Sequence, residues 1–307
     1  MRALYLAKKS YMPRDQDFYH CAWSKGYKIF FSLCELAGVQ PIYWNKDDVF
    51  SKKYEIVFID RADGLDIFNS IRSKLSYKKS FYWCETEDFS KGVDYTGFIS
   101  TEFMKNSKKE NSFWCGNIAN GEKIYKARDS DVFSMIFLGR VTSKIASKIN
   151  VLGKTYPDLQ IYVMPITVPG SGGRDRDFKF NNMEEYINLQ NYFGLENLIV
   201  LKPQPHSKLN QYLEALSPTF GFVPSIHDLS YNKMQPQSSS KIFDYYAAGI
   251  PCLTEWNVPE FFMPYNNIYK KRIIIENFLY KKNDILEYSN KNIYPCKRAK
   301  EILENIK

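Results

Sequence analysis

Two stretches of this chain carry residue types that bind phosphate. In "FLGRVTSK" (137–144) an apolar run stops at Gly139, and Arg140 and Lys144 follow four residues apart around a helix start. Free backbone N–H groups and the helix dipole favour an anion there, and two cations so spaced can converge on a diphosphate. The same residues also fit two solvated cations at a helix start. In "SSSKIFDYYAAGIPCLTE" (238–255) a serine run opens a helix, with Lys241 and Asp244 three residues apart on one face. Ser240 and Lys241 suit phosphate, and the carboxylate one turn on suits a ribose diol. A capped core helix with an ion pair accounts for Ala247, Ala248 and Gly249 equally well, but does not require the serines.

A third stretch, "TEWNVPE" (254–260), ends a strand at Glu255 and turns through Asn-Val-Pro to Glu260. Acidic groups there can hold sugar hydroxyls; the competing role, stronger for Glu260, is to cap the next helix. General-base candidates at strand ends in the first half are Asp15, Asp17, His20, Asp60, Glu85 and Glu87. Histidine is scarce, at 20, 206 and 227, and only His20 falls in a loop expected near a site.

These residues need a scaffold. Short apolar runs at 2–7, 39–44, 54–60, 80–85, 96–101 and 112–117 read as strands, with helical spacing at 27–38 and 65–76 between them. A polar stretch, 118–131, reads as a linker. The alternation then restarts with strands at 132–141, 159–166, 197–203, 219–225 and 251–255 and helices at 142–157, 181–194, 206–217 and from Ser240. The tail from 274 is expected to be helical and broken near Pro295. Buried strands alternating with helices imply parallel sheets covered on both faces. The expected architecture is α/β: two Rossmann-like domains, 1–120 and 132–290, facing each other across a central cleft, with a helical tail at 291–307. Ligands in such sheets bind at the carboxyl ends of the strands, which selects the loops at 8–26, 60–64, 84–91, 139–144, 165–180, 224–241 and 255–260.

Composition narrows the field. The chain has 307 residues, a formal net charge of +8 and 16% aromatic residues, with 23 Tyr and 22 Phe. A basic excess suits an anionic partner, or simply a lysine-rich surface. Six cysteines lie far apart with no C-x-x-C pair, which argues against zinc and for small buried hydrophobes. No run is long and apolar enough to span a bilayer, and no signal peptide is visible, so a cytoplasmic protein is expected. Neither G-x-x-x-x-G-K-[ST] nor G-x-G-x-x-G occurs, so nucleotide hydrolysis and dinucleotide redox chemistry lack support. "GSGGRD" (170–175) reads as a mobile basic loop.

With these residues assembled, "SSSKIFDYYAAGIPCLTEWNVPE" resembles the nucleotide-binding signature of GT-B glycosyltransferases of the Leloir type, P-S-K-x-x-E-Y-x-A-x-G-x-P-V followed by a Pro-Glu turn. "FLGRVTSK" resembles their first C-domain strand, whose Gly-Arg and following cation grip the donor diphosphate. The resemblance covers most of the second half. It implies that Arg140, Lys144, Ser240 and Lys241 bind the donor diphosphate, Asp244 the ribose, and Glu255 and Glu260 the donor sugar. Asp244 departs from the family's usual glutamate, and Pro236 stands where many retaining members carry a further acid.

A narrower resemblance, of spacing and length, is to phage DNA β-glucosyltransferases. Arg140/Lys144 reproduces their two basic residues four apart, Lys241/Asp244 reproduces their basic residue three before the ribose-binding acid, and "FYWCETED" (81–88) offers Glu85 or Glu87 where they place a base. The implied activity is transfer of a hexosyl or pentosyl group from a nucleotide sugar, a UDP-sugar first, to an acceptor hydroxyl. No metal and no obligatory cofactor are expected. Glu85, Asp17 and His20 are the catalytic candidates. Compactness and charge favour a hydroxymethylated base of double-stranded DNA as acceptor, in a host cytoplasm if the protein is viral. The alternatives are a cell-surface glycan or lipid-linked saccharide, or a protein that binds nucleotide or nucleic acid without transfer.

Overall fold

The computed structural model describes residues 1–7, 24–45, 49–84, 92–98, 110–119, 121–139, 141–165, 183–205, 208–224, 240–255, 265–268, 278 and 282–306. Their contacts divide the chain into two units. The first comprises the described residues of 1–118 together with 291–306, and the second those of 119–290.

The first unit holds β1 (Arg2–Leu6), α1 (Ser24–Ala37), β2 (Gln40–Tyr43), β3 (Lys53–Asp60), α2 (Arg61–Ile71), β4 (Ser76–Cys84), β5 (Tyr95–Phe98) and β6 (Ser112–Trp114). Its six strands pair in the order β2-β1-β3-β4-β5-β6, every pair parallel. Strand side chains alternate between faces, and the two cores follow that alternation. Tyr5, Phe58, Phe81 and Trp83 pack on one face with Ile29, Phe30 and Leu33 of α1. Leu4, Leu6, Val57, Ile59 and Tyr82 pack on the other with Leu65 and Phe68 of α2. Burial on both faces is why these strands read as unbroken apolar runs.

The second unit holds β7 (Ser134–Gly139), α3 (Ser143–Thr155), β8 (Gln160–Pro165), α4 (Met183–Phe193), β9 (Leu198–Val200), α5 (Leu209–Leu216), β10 (Phe220–Val223), α6 (Ser240–Ala247), β11 (Cys252–Thr254), β12 (Asn266–Ile268) and α7 (Lys282–Asn292). The sheet order is β12-β11-β10-β7-β8-β9, again parallel throughout. Met135, Phe137, Ile161, Val163, Phe220, Phe222 and Leu253 form one buried face under Ile145 and Ile149 of α3 and Leu189 and Phe193 of α4. α6 is anchored by a tyrosine. The Tyr245 hydroxyl accepts the N–H of Leu138 at 2.9 Å and lies 3.1 Å from the Ile136 carbonyl. Gly221 of β10 makes room, since a Cβ there would stand 2.4 Å from the Tyr245 ring.

The last helix, α8 (Pro295–Asn305), starts with proline in its first turn, where the missing N–H costs nothing. Ala299, Ile302 and Ile306 join the core beneath α1, so residues 291–306 belong with the first unit. Among the described residues, no helix is long and apolar enough to cross a membrane.

Candidate functional site

In the second sheet the chain leaves β7 through α3 toward β8, whereas the later strands stack on the other side of β7 beside β10. The carboxyl ends of β7 and β10 therefore flank the switch point, the usual ligand crevice of an open parallel sheet. α3 begins right there. Thr142 is its N-cap, its side chain accepting the Ile145 N–H at 3.3 Å, and Lys144 is exposed on the first turn. This leaves a helix N-terminus, with its partial positive charge, at the end of β7.

Lys241, from the first turn of α6, comes to the same point. Gly139 closes β7 with φ +129, a conformation that excludes most side chains. A Cβ on Gly139 would stand 2.6 Å from the Lys241 Cε and 2.8 Å from its Nζ. The ammonium lies 4.9 Å from the centre of the Phe137 ring, on the sheet face that α3 covers. Lys241 thus crosses the end of β7 through the gap that glycine leaves. Asp244, one turn further along α6, is fully buried. Tyr245 fixes the rotation of α6 as described above, and the Tyr246 carbonyl accepts the Ser289 hydroxyl of α7 at 2.8 Å.

Glu255 follows β11, and its N–H donates to the Val223 carbonyl at 3.2 Å, extending the ladder by one residue. Its carboxylate pairs with Lys148 on the second turn of α3. Sequence reasoning named Glu255 and missed Lys148. The i,i+4 spacing of Lys144 and Lys148 was a visible signal; the partner 107 residues away was not.

Of the expected site residues, the structure brings Lys144, Lys241, Asp244 and Glu255 to the carboxyl side of this sheet, and Ser240 opens α6. Arg140, Glu260 and the three catalytic candidates Glu85, Asp17 and His20 lie outside the described residues, as do Asp15, Glu87 and Pro236.

Asp60, another of the acids at strand ends, is described. It ends β3 at the switch point of the first sheet, where β1 and β3 are neighbours but their following helices pack on opposite faces. The carboxylate is 1% exposed. Tyr5 donates its hydroxyl to Oδ2, and the Arg61 Nε lies 3.5 Å from Oδ1. Burial, then the charge of Asp60, pushes the Tyr5 phenol well above its ordinary pKa, so it stays a donor. Arg61 adopts φ +58, and its guanidinium sits 5.5 Å from the Trp83 ring centre. Gly26 of α1 closes the cluster, since a Cβ there would stand 2.5 Å from the Asp60 carboxylate. Asp60 is thus a member of a buried cluster with Tyr5 and Arg61.

Among the described residues no group of three His, Cys, Asp or Glu side chains is placed to hold a metal ion. Cys34, Cys84, Cys115 and Cys252 are buried, and burial pushes the thiols of Cys34 and Cys115 up to about 12.

No family model matches the chain, and no curated protein matches it in sequence. Solved structures do. A sucrose-phosphate synthase from Thermosynechococcus elongatus superposes with a TM-score of 0.59 at 10% identity, over 100% of this chain and 94% of that one. A trehalose-6-phosphate synthase gives 0.57 at 8% identity, over 91% and 77%. The O-GlcNAc transferase of Thermobaculum terrenum gives 0.53 at 10% identity, over 99% of this chain and 62% of that one. The chain has the GT-B fold. In GT-B terms the first unit is the N-terminal Rossmann-like domain, completed by α8, and the second unit is the C-terminal one.

Proposed function

We propose that this GT-B protein is a glycosyltransferase that moves a sugar from a nucleotide-sugar donor to an acceptor hydroxyl. The observation that carries the reading is Lys241 crossing the glycine end of β7 beside the α3 N-terminus, at the switch point of the second sheet. The three superposing structures, each named for a synthase or transferase of sugars, support it.

In this reading the bond between the anomeric carbon and the diphosphate oxygen breaks, and the acceptor oxygen bonds to that carbon. Negative charge grows on the leaving diphosphate. Lys241, Lys144, Arg140, Ser240 and the α3 N–H groups stabilise it, and such preorganised donors usually contribute the largest single share of rate. Asp244 takes the ribose hydroxyls; Glu255 and Glu260 take those of the sugar. The acceptor proton goes to Glu85, or to Asp17 or His20, in an inverting enzyme, and to the leaving phosphate in a retaining one. A UDP-sugar is the first donor to try.

On the acceptor side, a hydroxymethylated base in duplex DNA is the first candidate to test, since the net charge of +8 suits an anionic partner. Duplex binding that weakens steeply with salt is the expected result. Partition onto anionic vesicles without DNA binding would assign the acceptor to lipid-linked saccharides instead.

The experiment is donor turnover, transfer plus hydrolysis, by the wild type and by Lys241→Ala. Wild-type turnover lost in the variant supports the assignment. A wild type that turns over no common sugar nucleotide, with water or with any acceptor tried, overturns it in favour of a binding protein.

A further inference from the structure

Lys148 has no part in the assignments above, yet it reaches into the same site. It lies one helical turn beyond Lys144, and its side chain is 33% exposed against 8% for that of Glu255. The pair spans three strands of the sheet: α3 follows β7, whereas Glu255 follows β11, with β10 between them. Lys148 therefore extends from the β7 side of the carboxyl edge, past β10, to Glu255 at the end of β11.

Two constraints act on Glu255 together. Its backbone N–H is bonded to Val223, and its carboxylate to Lys148. A carboxylate has about four lone-pair sites, so the charge-assisted bond to Lys148 orients it while filling only part of its capacity. A carboxylate this buried depends on its cation, because removing one partner of a buried pair leaves the other uncompensated.

We propose that Lys148 is a positioning residue for donor specificity: it orients the Glu255 carboxylate to accept hydroxyls of the donor sugar. This inference rests on the nucleotide-sugar reading of the site. It assigns Lys148 to the sugar, in contrast to Lys144 and Lys241, which act on the diphosphate. The distinction is measurable, because a free nucleoside diphosphate retains every phosphate contact and lacks the sugar.

The test compares UDP with UDP-glucose by calorimetric titration, and GDP and ADP with their glucose conjugates if uridine proves the wrong base. Lys148→Met is expected to weaken the sugar nucleotide about tenfold, as one misplaced charge-assisted bond implies, and the free diphosphate less than twofold. Glu255→Gln should do the same, and the double variant should lose no more than either single one, since the two act as a unit. Lys148→Arg, which retains the cation, should recover most of the loss and also controls for folding.

Equal losses for diphosphate and sugar nucleotide would overturn the proposal and make Lys148 a phosphate contact. Unchanged affinity for both would overturn it and leave the pair structural. A folded wild type that binds neither ligand of any pair would instead sink the donor reading itself, and this inference with it.

Discussion

Asp60→Ala lowers folding stability by about 3–5 kcal/mol, the range for breaking one partner out of a buried ion pair. The carboxylate is 1% exposed, takes the Tyr5 hydroxyl and lies beside the Arg61 guanidinium. Alanine leaves the buried Tyr5 hydroxyl without its acceptor and removes the negative charge beside the Arg61 guanidinium, in a pocket lined by Gly26 and Trp83. Arg61 sharpens the expectation. A non-glycine residue in the left-handed region costs roughly 1–3 kcal/mol and persists only where its surroundings over-determine it. Asp60 is part of that surrounding, so Arg61 and the start of α2 should loosen with it.

The check is urea denaturation, read as a fall in midpoint at unchanged slope. Asp60→Asn separates structure from chemistry. It keeps the shape and one acceptor oxygen, so it should lose less stability than alanine and leave donor binding intact. A loss below about 1 kcal/mol for the alanine variant, typical of a surface pair, would mean that Asp60 is not the centre of the cluster.

Lys241→Met weakens nucleotide-sugar binding by about 10- to 100-fold. A hydrogen bond to a charged group contributes roughly 1.5–3 kcal/mol, and each 1.4 kcal/mol is tenfold in affinity. Methionine retains the length that lies along Phe137 and past Gly139, so lost charge rather than lost packing is what the titration reads. The free diphosphate should weaken by the same factor, unlike the sugar-selective loss expected at Lys148. The loss should also shrink as ionic strength rises, since Lys144 on the adjoining first turn of α3 is exposed to solvent. Unchanged diphosphate affinity would remove Lys241 from the site.

Much of this arrangement was legible in the sequence. The unbroken apolar run of β7, its stop at Gly139 and the helical spacing from 142 locate a strand, a turn and a helix start without reference to other parts of the chain. Lys241 and Asp244 declared themselves by helical spacing behind a serine run. What escaped depends on tertiary pairing. β12 is Asn-Asn-Ile, with no strand pattern of its own, and is a strand because Cys252 and Leu253 of β11 pair with it. The spacing of Ala299, Ile302 and Ile306 marks an apolar helix face but not its partner, α1. Tyr5 and Asp60, 55 residues apart, meet only because β1 and β3 are neighbours. Gly139 reads in the sequence as a strand terminator; its second role, admitting Lys241, needs the position of α6.

Binding of a nucleotide sugar by the second unit is best tested by a thermal-shift series with saturating UDP-, GDP- and ADP-sugars. A ligand at about 100 times its Kd adds roughly 2.7 kcal/mol of apparent stability. One nucleotide series is expected to raise the melting temperature of the wild type and to raise that of Lys241→Met far less. No stabilisation by any of these sugar nucleotides, or equal stabilisation of both proteins, would contradict it.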